Sequence, residues 1–259
     1  MKIVLVHGMF SSNPCWQRLE GLLRDRNIEV RRVALHPQGV AKAGRDFEDV
    51  TASVRAQIAD LVDQPFVLVG HSLGALVVEK LLPAFAQARA VLVNPSPGWG
   101  TFGPVAPLWM AARRGRFWRG LVHPNRNESR ALLFQGMPAP DEEAAWALVE
   151  PESGELVRQV FWFFDLFAAT TRLPGSPERD ITVLTGSLDP LATPAVCRRL
   201  VSRYGLGSRL EVVPANGHML MLQDAGARCL ADRIAAIRET SEWESIAASP
   251  SSALTEIVH

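Results

Sequence analysis

The sequence of 259 residues has little cysteine, no net charge and no long apolar run. Its cysteines, Cys15, Cys197 and Cys229, form no C-x-x-C pair and are odd in number. This pattern favours free thiols in a reducing compartment over a disulfide framework. Basic and acidic residues number 27 each, so the composition gives no electrostatic footprint for nucleic acid.

Targeting and cofactor signals are also missing. No apolar run reaches the ~18 residues of a membrane-spanning helix, and residues 2–6 already read as a strand, with no secretory leader before them. We therefore expect a cytoplasmic protein without a membrane span. The first strand runs into His7-Gly8-Met9-Phe10 rather than a G-x-G-x-x-G loop. No metal-ligand cluster has zinc spacing, so neither a cofactor nor a metal is expected.

Short apolar runs alternate with amphipathic stretches. The runs predict strands at residues 3–6, 28–35, 66–69, 90–93, 181–184 and 210–213. Helices are predicted at residues 14–26, 47–62, 74–85, 193–204 and 220–237. This alternation predicts an α/β fold with a mostly parallel central sheet and helices on both faces.

The alternation stops for more than eighty residues after the strand that ends near Asn94. Ordinary connections have about 2–6 residues, so we expect this stretch to be structured. Helical spacing recurs within it at residues 141–149 and 153–167. Its large aromatic residues are Trp99, Trp109, Trp118, Trp146, Phe161, Trp162, Phe163, Phe164 and Phe167. We predict an α/β core over residues 1–94 and 176–240, a helical cap over residues 95–175 and a tail over residues 241–259.

The segment with the clearest chemistry is the G-x-S-x-G pattern Gly70-His71-Ser72-Leu73-Gly74. It stands between a predicted strand and a predicted helix, which is the context of a nucleophile elbow. The sharp turn lifts a serine hydroxyl clear of the sheet and requires small residues two positions before and after the serine. We therefore predict Ser72 as the nucleophile, with Gly70 and Gly74 as the elbow glycines.

A serine hydroxyl needs a base to take its proton, and the base needs an acid to orient it. His218 follows the last predicted strand, in Asn216-Gly217-His218, and is the predicted general base. Asp189 lies in the loop after the strand at residues 181–184. Because that loop is at the same edge of the sheet as Ser72, Asp189 is the predicted acid.

Acyl transfer also needs hydrogen-bond donors for an oxyanion. The backbone N–H of Leu73, directly after the nucleophile, is one predicted donor. The loop after the first strand should supply the second, and there we predict the N–H of Met9.

Together these residues resemble the α/β-hydrolase fold family, in which nucleophile, acid and histidine follow one another in this order. Residues 4–8 and 14–16 look like the small cofactor-free branch that includes esterases, plant methylesterases and hydroxynitrile lyases. The lyases carry a lysine directly after the catalytic histidine, where this chain has Met219. Ser72 in place of an aspartate separates the chain from dehalogenases and epoxide hydrolases.

The resemblance implies a serine hydrolase that acts on a small-molecule substrate. The aromatic residues favour a small to medium apolar ester, although they also fit plain packing of the cap. A C–C bond hydrolase, an acyltransferase or a perhydrolase would use the same triad, and a non-catalytic binding protein is a further alternative. The basic run of Arg113, Arg114, Arg116 and Arg119 fits a solvated face or a contact with an anionic group. The oligomeric state stays open.

Overall fold

The computed structural model describes residues 2–37, 43–98, 120–161, 181–204 and 207–238. In chain order the strands are β1 (Lys2–Val6), β2 (Glu29–Val33), β3 (Phe66–His71), β4 (Ala88–Val93), β5 (Leu121–Val122), β6 (Glu152–Ser153), β7 (Ile181–Gly186) and β8 (Arg209–Val213). The helices are α1 (Gln17–Arg24), α2 (Phe47–Gln57), α3 (Leu73–Leu81), α4 (Arg126–Leu132), α5 (Ala139–Trp146), α6 (Gly154–Phe161), α7 (Pro194–Val201) and α8 (Asp224–Arg238).

The central sheet has six strands in the order β2-β1-β3-β4-β7-β8, and every neighbouring pair is parallel. The predicted α/β fold with a parallel sheet is therefore confirmed. From β1 the chain first continues to β2 on one side of β1, and then crosses to β3 on the other side. Ligand sites in open α/β sheets lie at the carboxyl ends of the strands beside such a reversal, which here is between β1 and β3.

The core lies on both faces of the sheet because side chains of a strand alternate between them. Val4 and Val6 pack on one face with the buried residues of α2, α3 and α7. Ile3 and Leu5 pack on the other face with those of α1 and α8. Every β3 residue is buried, as expected for an inner strand of a parallel sheet.

The ends of several helices differ from the prediction. The first predicted helix is divided into a 3₁₀ turn, Asn13–Trp16, and α1. The last is divided at Gln223, whose extended backbone separates a 3₁₀ turn, Leu220–Leu222, from α8. A 3₁₀ turn at the start of a helix is common and leaves the apolar spacing almost unchanged, so periodicity alone does not find these breaks.

Between β4 and β7, residues 120–161 contain α4, α5, α6 and a two-stranded antiparallel ribbon of β5 and β6. The ribbon was not predicted. Seven of the aromatic residues noted in this stretch and all four arginines of the basic run lie outside the described residues, as does the tail. They are Trp99, Trp109, Trp118, Trp162, Phe163, Phe164, Phe167, Arg113, Arg114, Arg116 and Arg119. The division into core, cap and tail stays a prediction. No helix in the described ranges is long and apolar enough to cross a membrane.

Candidate active site

Ser72 lies on a strained turn between β3 and α3. Its φ is 51° and its ψ is −117°, a conformation that non-glycine residues rarely adopt. The turn brings backbone segments into contact: a Cβ on Gly70 would lie 2.5 Å from the Gly74 carbonyl oxygen, and a Cβ on Gly74 would lie 2.4 Å from that of Val6. The close approach accounts for glycine at both positions and points the Ser72 hydroxyl away from the sheet.

The structure brings Ser72, His218 and Asp189 together from three different strand ends. His218 Nε2 is 3.0 Å from Ser72 Oγ, and His218 Nδ1 is 2.9 Å from Asp189 Oδ2. All three residues are buried. Since a carboxylate only accepts hydrogen bonds, Nδ1 carries the proton that is donated to Asp189. Nε2 is then free to accept the proton of Ser72.

Asp189 is held as an anion by four donors. Its Oδ1 accepts from the backbone N–H groups of Leu191 (2.7 Å) and Ala192 (3.0 Å), and its Oδ2 accepts from Asn94 Nδ2 (2.5 Å) as well as His218. Burial alone would raise the pKa of Asp189, but the electrostatic attraction and hydrogen bond of the His218 ring, together with hydrogen bonds from Asn94 and Ala192, outweigh burial and lower it. The carboxylate is therefore charged at neutral pH.

Two further buried histidines stay neutral beside this group. His71 donates from Nε2 to the backbone carbonyl of His218 (3.0 Å), and burial lowers the pKa of His71 to about 3. His7 accepts from the Leu35 N–H at Nε2, which places its proton on Nδ1, and burial lowers the pKa of His7 to about 4. Because His71 is neutral, it can hold the loop of His218 by a hydrogen bond without placing a positive charge beside the His218 ring.

The predicted oxyanion donors flank Ser72. Leu73 is the first residue of α3, so its N–H has no partner within the helix and points, with the positive end of the helix dipole, towards the nucleophile. The loop after β1 passes directly over the elbow, because a Cβ on Gly8 would lie 2.9 Å from Ser72 Cβ. Met9, the next residue, is almost fully buried. Both predicted donors thus lie in segments that adjoin the serine.

Residues 133–135 pack against the loop of His218. The Met219 N–H donates to the Leu133 carbonyl (3.2 Å), and Gln223 Nε2 donates to the Gln135 carbonyl (3.3 Å). Gly217 lies so close that a Cβ there would be 2.1 Å from the Gln135 oxygen. The segment between β4 and β7 therefore supports the position of His218.

The sequence did not identify Asn94, Ser96 and His71 as parts of this site. Asn94 and Ser96 follow β4 at the same edge as Ser72, and that position after a strand was the available signal. His36, another histidine at a strand end, is buried against Glu152 with Nε2 2.8 Å from Oε1. Over the described ranges, no group of three or more His, Cys, Asp or Glu side chains is arranged to hold a metal ion.

Comparisons with solved structures find proteins of the same fold. A solved methylesterase, MES16 from Arabidopsis, is 18% identical, with 92% of this chain and 99% of that chain covered and a TM-score of 0.68. The solved polyneuridine aldehyde esterase is 19% identical, with 92% of this chain and 99% of that chain covered and a TM-score of 0.65. A monoacylglycerol lipase of Paleococcus ferrophilus is 17% identical, with 91% of this chain and 94% of that chain covered and a TM-score of 0.60. At such identities the likeness shows the fold alone.

No protein with a curated description matches the sequence. The profile of the alpha/beta hydrolase family, however, matches residues 3–231, which include β1, the elbow and the loops of Asp189 and His218. The match covers most of the chain and agrees with the parallel sheet. The chain therefore belongs to the alpha/beta hydrolase family and is a hydrolase.

Proposed function

We propose that the chain is a carboxylic-ester hydrolase that works through an acyl-enzyme on Ser72. The observation that carries the proposal is the pair of hydrogen bonds of one imidazole. His218 is 3.0 Å from Ser72 Oγ on one side and 2.9 Å from Asp189 Oδ2 on the other. In this arrangement His218 is the general base and Asp189 fixes its tautomer and orientation.

The reaction has two halves. In the first, Ser72 Oγ attacks the ester carbonyl while its proton passes to His218 Nε2. The bond to the leaving alcohol then breaks, and the alcohol takes that proton. In the second, water attacks the acyl-enzyme, gives a proton to His218, and the acid leaves as Ser72 regains a proton. The N–H groups of Leu73 and Met9 hold the carbonyl oxygen while it is negative, and each such donor is worth about 10²–10³-fold in rate.

An ester is favoured over other bonds by the three solved neighbours, whose names describe esterases and a lipase. We further propose that residues 95–175 form a cap over Ser72 and that the substrate is a small to medium apolar ester. The aromatic residues of that segment are the basis for the substrate class. Free thiols at all three cysteines fit the proposed cytoplasmic location.

Hydrolysis of p-nitrophenyl esters of increasing acyl length tests the proposal, with Ser72→Ala beside the wild type. Ser12→Ala is the matched control, because the Ser12 side chain makes no capping hydrogen bond. We expect wild-type activity to reach a maximum at one acyl length, to persist in Ser12→Ala and to fall at least about 10³-fold in Ser72→Ala. Full activity in Ser72→Ala would end the assignment.

Asp189→Asn separates the triad from simple substrate binding. The amide keeps the shape of the carboxylate but no longer selects the correct tautomer of His218, and such a change lowers kcat about 10⁴-fold in a serine hydrolase. We expect a large loss in kcat with little change in KM. A variant that loses affinity but keeps kcat would place Asp189 in substrate binding instead.

A further inference from the structure

A second hydroxyl lies beside the proposed nucleophile. Ser96 Oγ is 3.3 Å from Ser72 Oγ, and Ser96 is half-buried in the loop after β4. Its backbone N–H donates to the Ser72 carbonyl at 3.1 Å. This backbone bond fixes the distance between the two residues whatever side chain occupies position 96.

The surrounding hydrogen bonds decide which hydroxyl donates. Asp189 accepts the Nδ1 proton of His218, so Nε2 is an acceptor and takes the proton of Ser72. Ser72 has a single hydroxyl proton, and only the lone pairs of its oxygen remain for Ser96. Ser96 is therefore the donor in the bond between the two hydroxyls.

The position of Ser96 differs from that of the oxyanion donors. In the sheet, β3 lies between β1 and β4. Gly8 and Met9 follow β1, on one side of Ser72, whereas Ser96 follows β4, on the other side. The Ser96 hydroxyl therefore contacts the nucleophilic oxygen from the side opposite the predicted oxyanion donors.

We propose that Ser96 is a further catalytic residue, which stabilises negative charge on Ser72 Oγ; the inference rests on the proposed function. As the Oγ–carbon bond forms, the Ser72 proton moves to His218 Nε2, and Oγ carries partial negative charge. When the same bond breaks in the second half, Oγ takes the electron pair and then the proton from His218. A hydrogen bond to a charged oxygen is about twice as strong as one to a neutral oxygen, so the Ser96 bond is strongest in these transition states.

This role predicts a distinct kinetic pattern. Because Oγ is the attacking atom in acylation and the leaving atom in deacylation, loss of the Ser96 hydroxyl slows both halves. A residue that contacts the alcohol would slow acylation only. A residue that contacts the acyl chain would have an effect that changes with acyl length.

The test measures pre-steady-state bursts of p-nitrophenol from the full chain, with Ser96→Ala, Ser96→Thr and Ser96→Val beside the wild type. All variants keep the backbone N–H, and threonine and valine have nearly the same shape but differ in the hydroxyl. We expect Ser96→Thr to stay near the wild-type rates. Ser96→Ala and Ser96→Val should be about tenfold slower in both phases at every acyl length, as for one lost hydrogen bond of modest strength.

Three results would overturn the role of Ser96: an alanine variant at the wild-type rate, equal losses in the threonine and valine variants, or a loss confined to acylation or to one acyl length. In each of these three cases the wild type would still show a burst that depends on Ser72, so the proposed function would stand. If the wild type shows no burst and a phosphonate does not label Ser72, the proposed function itself is overturned, and the role of Ser96 with it.

Discussion

Asn94 donates its side-chain amide to Asp189 Oδ2 at 2.5 Å, the same oxygen that accepts from His218 Nδ1. Asn94 directly follows β4 and lies in the left-handed region, with φ of 45°, which asparagine tolerates better than most residues. Its backbone N–H donates to the Leu184 carbonyl of β7. Asn94 thus ties the strand beside the elbow to the loop of Asp189 and helps to keep that carboxylate charged.

Removal of this amide should change the pH dependence of the reaction. In Asn94→Ala the carboxylate loses a donor that lowers the pKa of Asp189, so that pKa rises. The more basic carboxylate also binds the imidazolium of His218 more tightly. We expect the acid limb of the kcat/KM profile to move to higher pH, with activity about tenfold lower, as for one lost hydrogen bond to a charged group.

Asn125→Ala is the matched control for this measurement. Asn125 caps α4 by accepting from the Glu128 N–H, and its loss should cost about 1 kcal/mol of stability. Its pH profile should equal that of the wild type. An acid limb of Asn94→Ala that stays in place, or moves to lower pH, would contradict the role of Asn94.

The contact between Gly217 and Gln135 gives a second prediction. A Cβ at position 217 would lie 2.1 Å from the Gln135 carbonyl oxygen, so Gly217→Ala must displace backbone on one side. Since His218 is the next residue, the displacement moves Nε2 away from Ser72. We expect kcat to fall about 10²-fold, the effect of a misplacement of about 1 Å, and the melting temperature to fall as well.

Gly21→Ala is the comparison for that variant. Gly21 lies within α1, and a Cβ there would meet no atom within 4 Å. Alanine is favoured over glycine in a helix by about 1 kcal/mol, so this variant should melt higher with unchanged kcat. Equal kcat values in Gly217→Ala and Gly21→Ala would show that residues 133–135 do not support the position of His218.

Local sequence patterns were enough to predict which residues lie together at the candidate site where those residues follow strands in a regular way. A strand, a G-x-S-x-G turn and a helix are consecutive in the chain, so the elbow at Ser72 could be predicted. His218 and Asp189 could be predicted because parallel strands bring their carboxyl ends to one edge. Asn94 and Ser96 also follow a strand at that edge, but their contacts with Asp189 and Ser72 depend on β4 lying between β3 and β7, and no local pattern contains that neighbour relation.

Glu79 was missed for a similar reason. It lies at an ordinary position of α3, but in the fold it is buried and accepts a hydrogen bond from the hydroxyl of Tyr204, which follows α7. Burial raises the pKa of Glu79 to about 8, against the smaller opposing effect of the Arg203 charge. A sequence pattern gives the helix but not the distant residue that covers this face of it.

This shift makes stability depend on pH. The ordinary pKa of a glutamate is 4.5, whereas burial in the fold raises the pKa of Glu79 to about 8. Between these values the unfolded chain releases the proton that the folded chain keeps, so a rise in pH lowers the free energy of unfolding. Glu79→Gln keeps an acceptor for Tyr204 without the titration. We expect its melting temperature to exceed that of the wild type by an amount that grows from pH 5 to pH 8.

Glu48→Gln is the control, because Glu48 is an exposed residue of α2 that pairs with Lys80 at 3.1 Å. Its melting temperature should differ from the wild type by a nearly constant, small amount over the same pH range. A constant difference for Glu79→Gln as well would mean that Glu79 is ionised in the folded protein at neutral pH.

The central claim is that Ser72 is the nucleophile and His218 activates it. It is tested most directly by reaction with a fluorophosphonate, followed by mass spectrometry of the intact chain and its peptides. We expect one adduct, on the peptide that contains Ser72, with labelling much slower in a His218→Ala variant that stays folded. No adduct, an adduct on another residue, or labelling at the same rate without His218 would contradict the account.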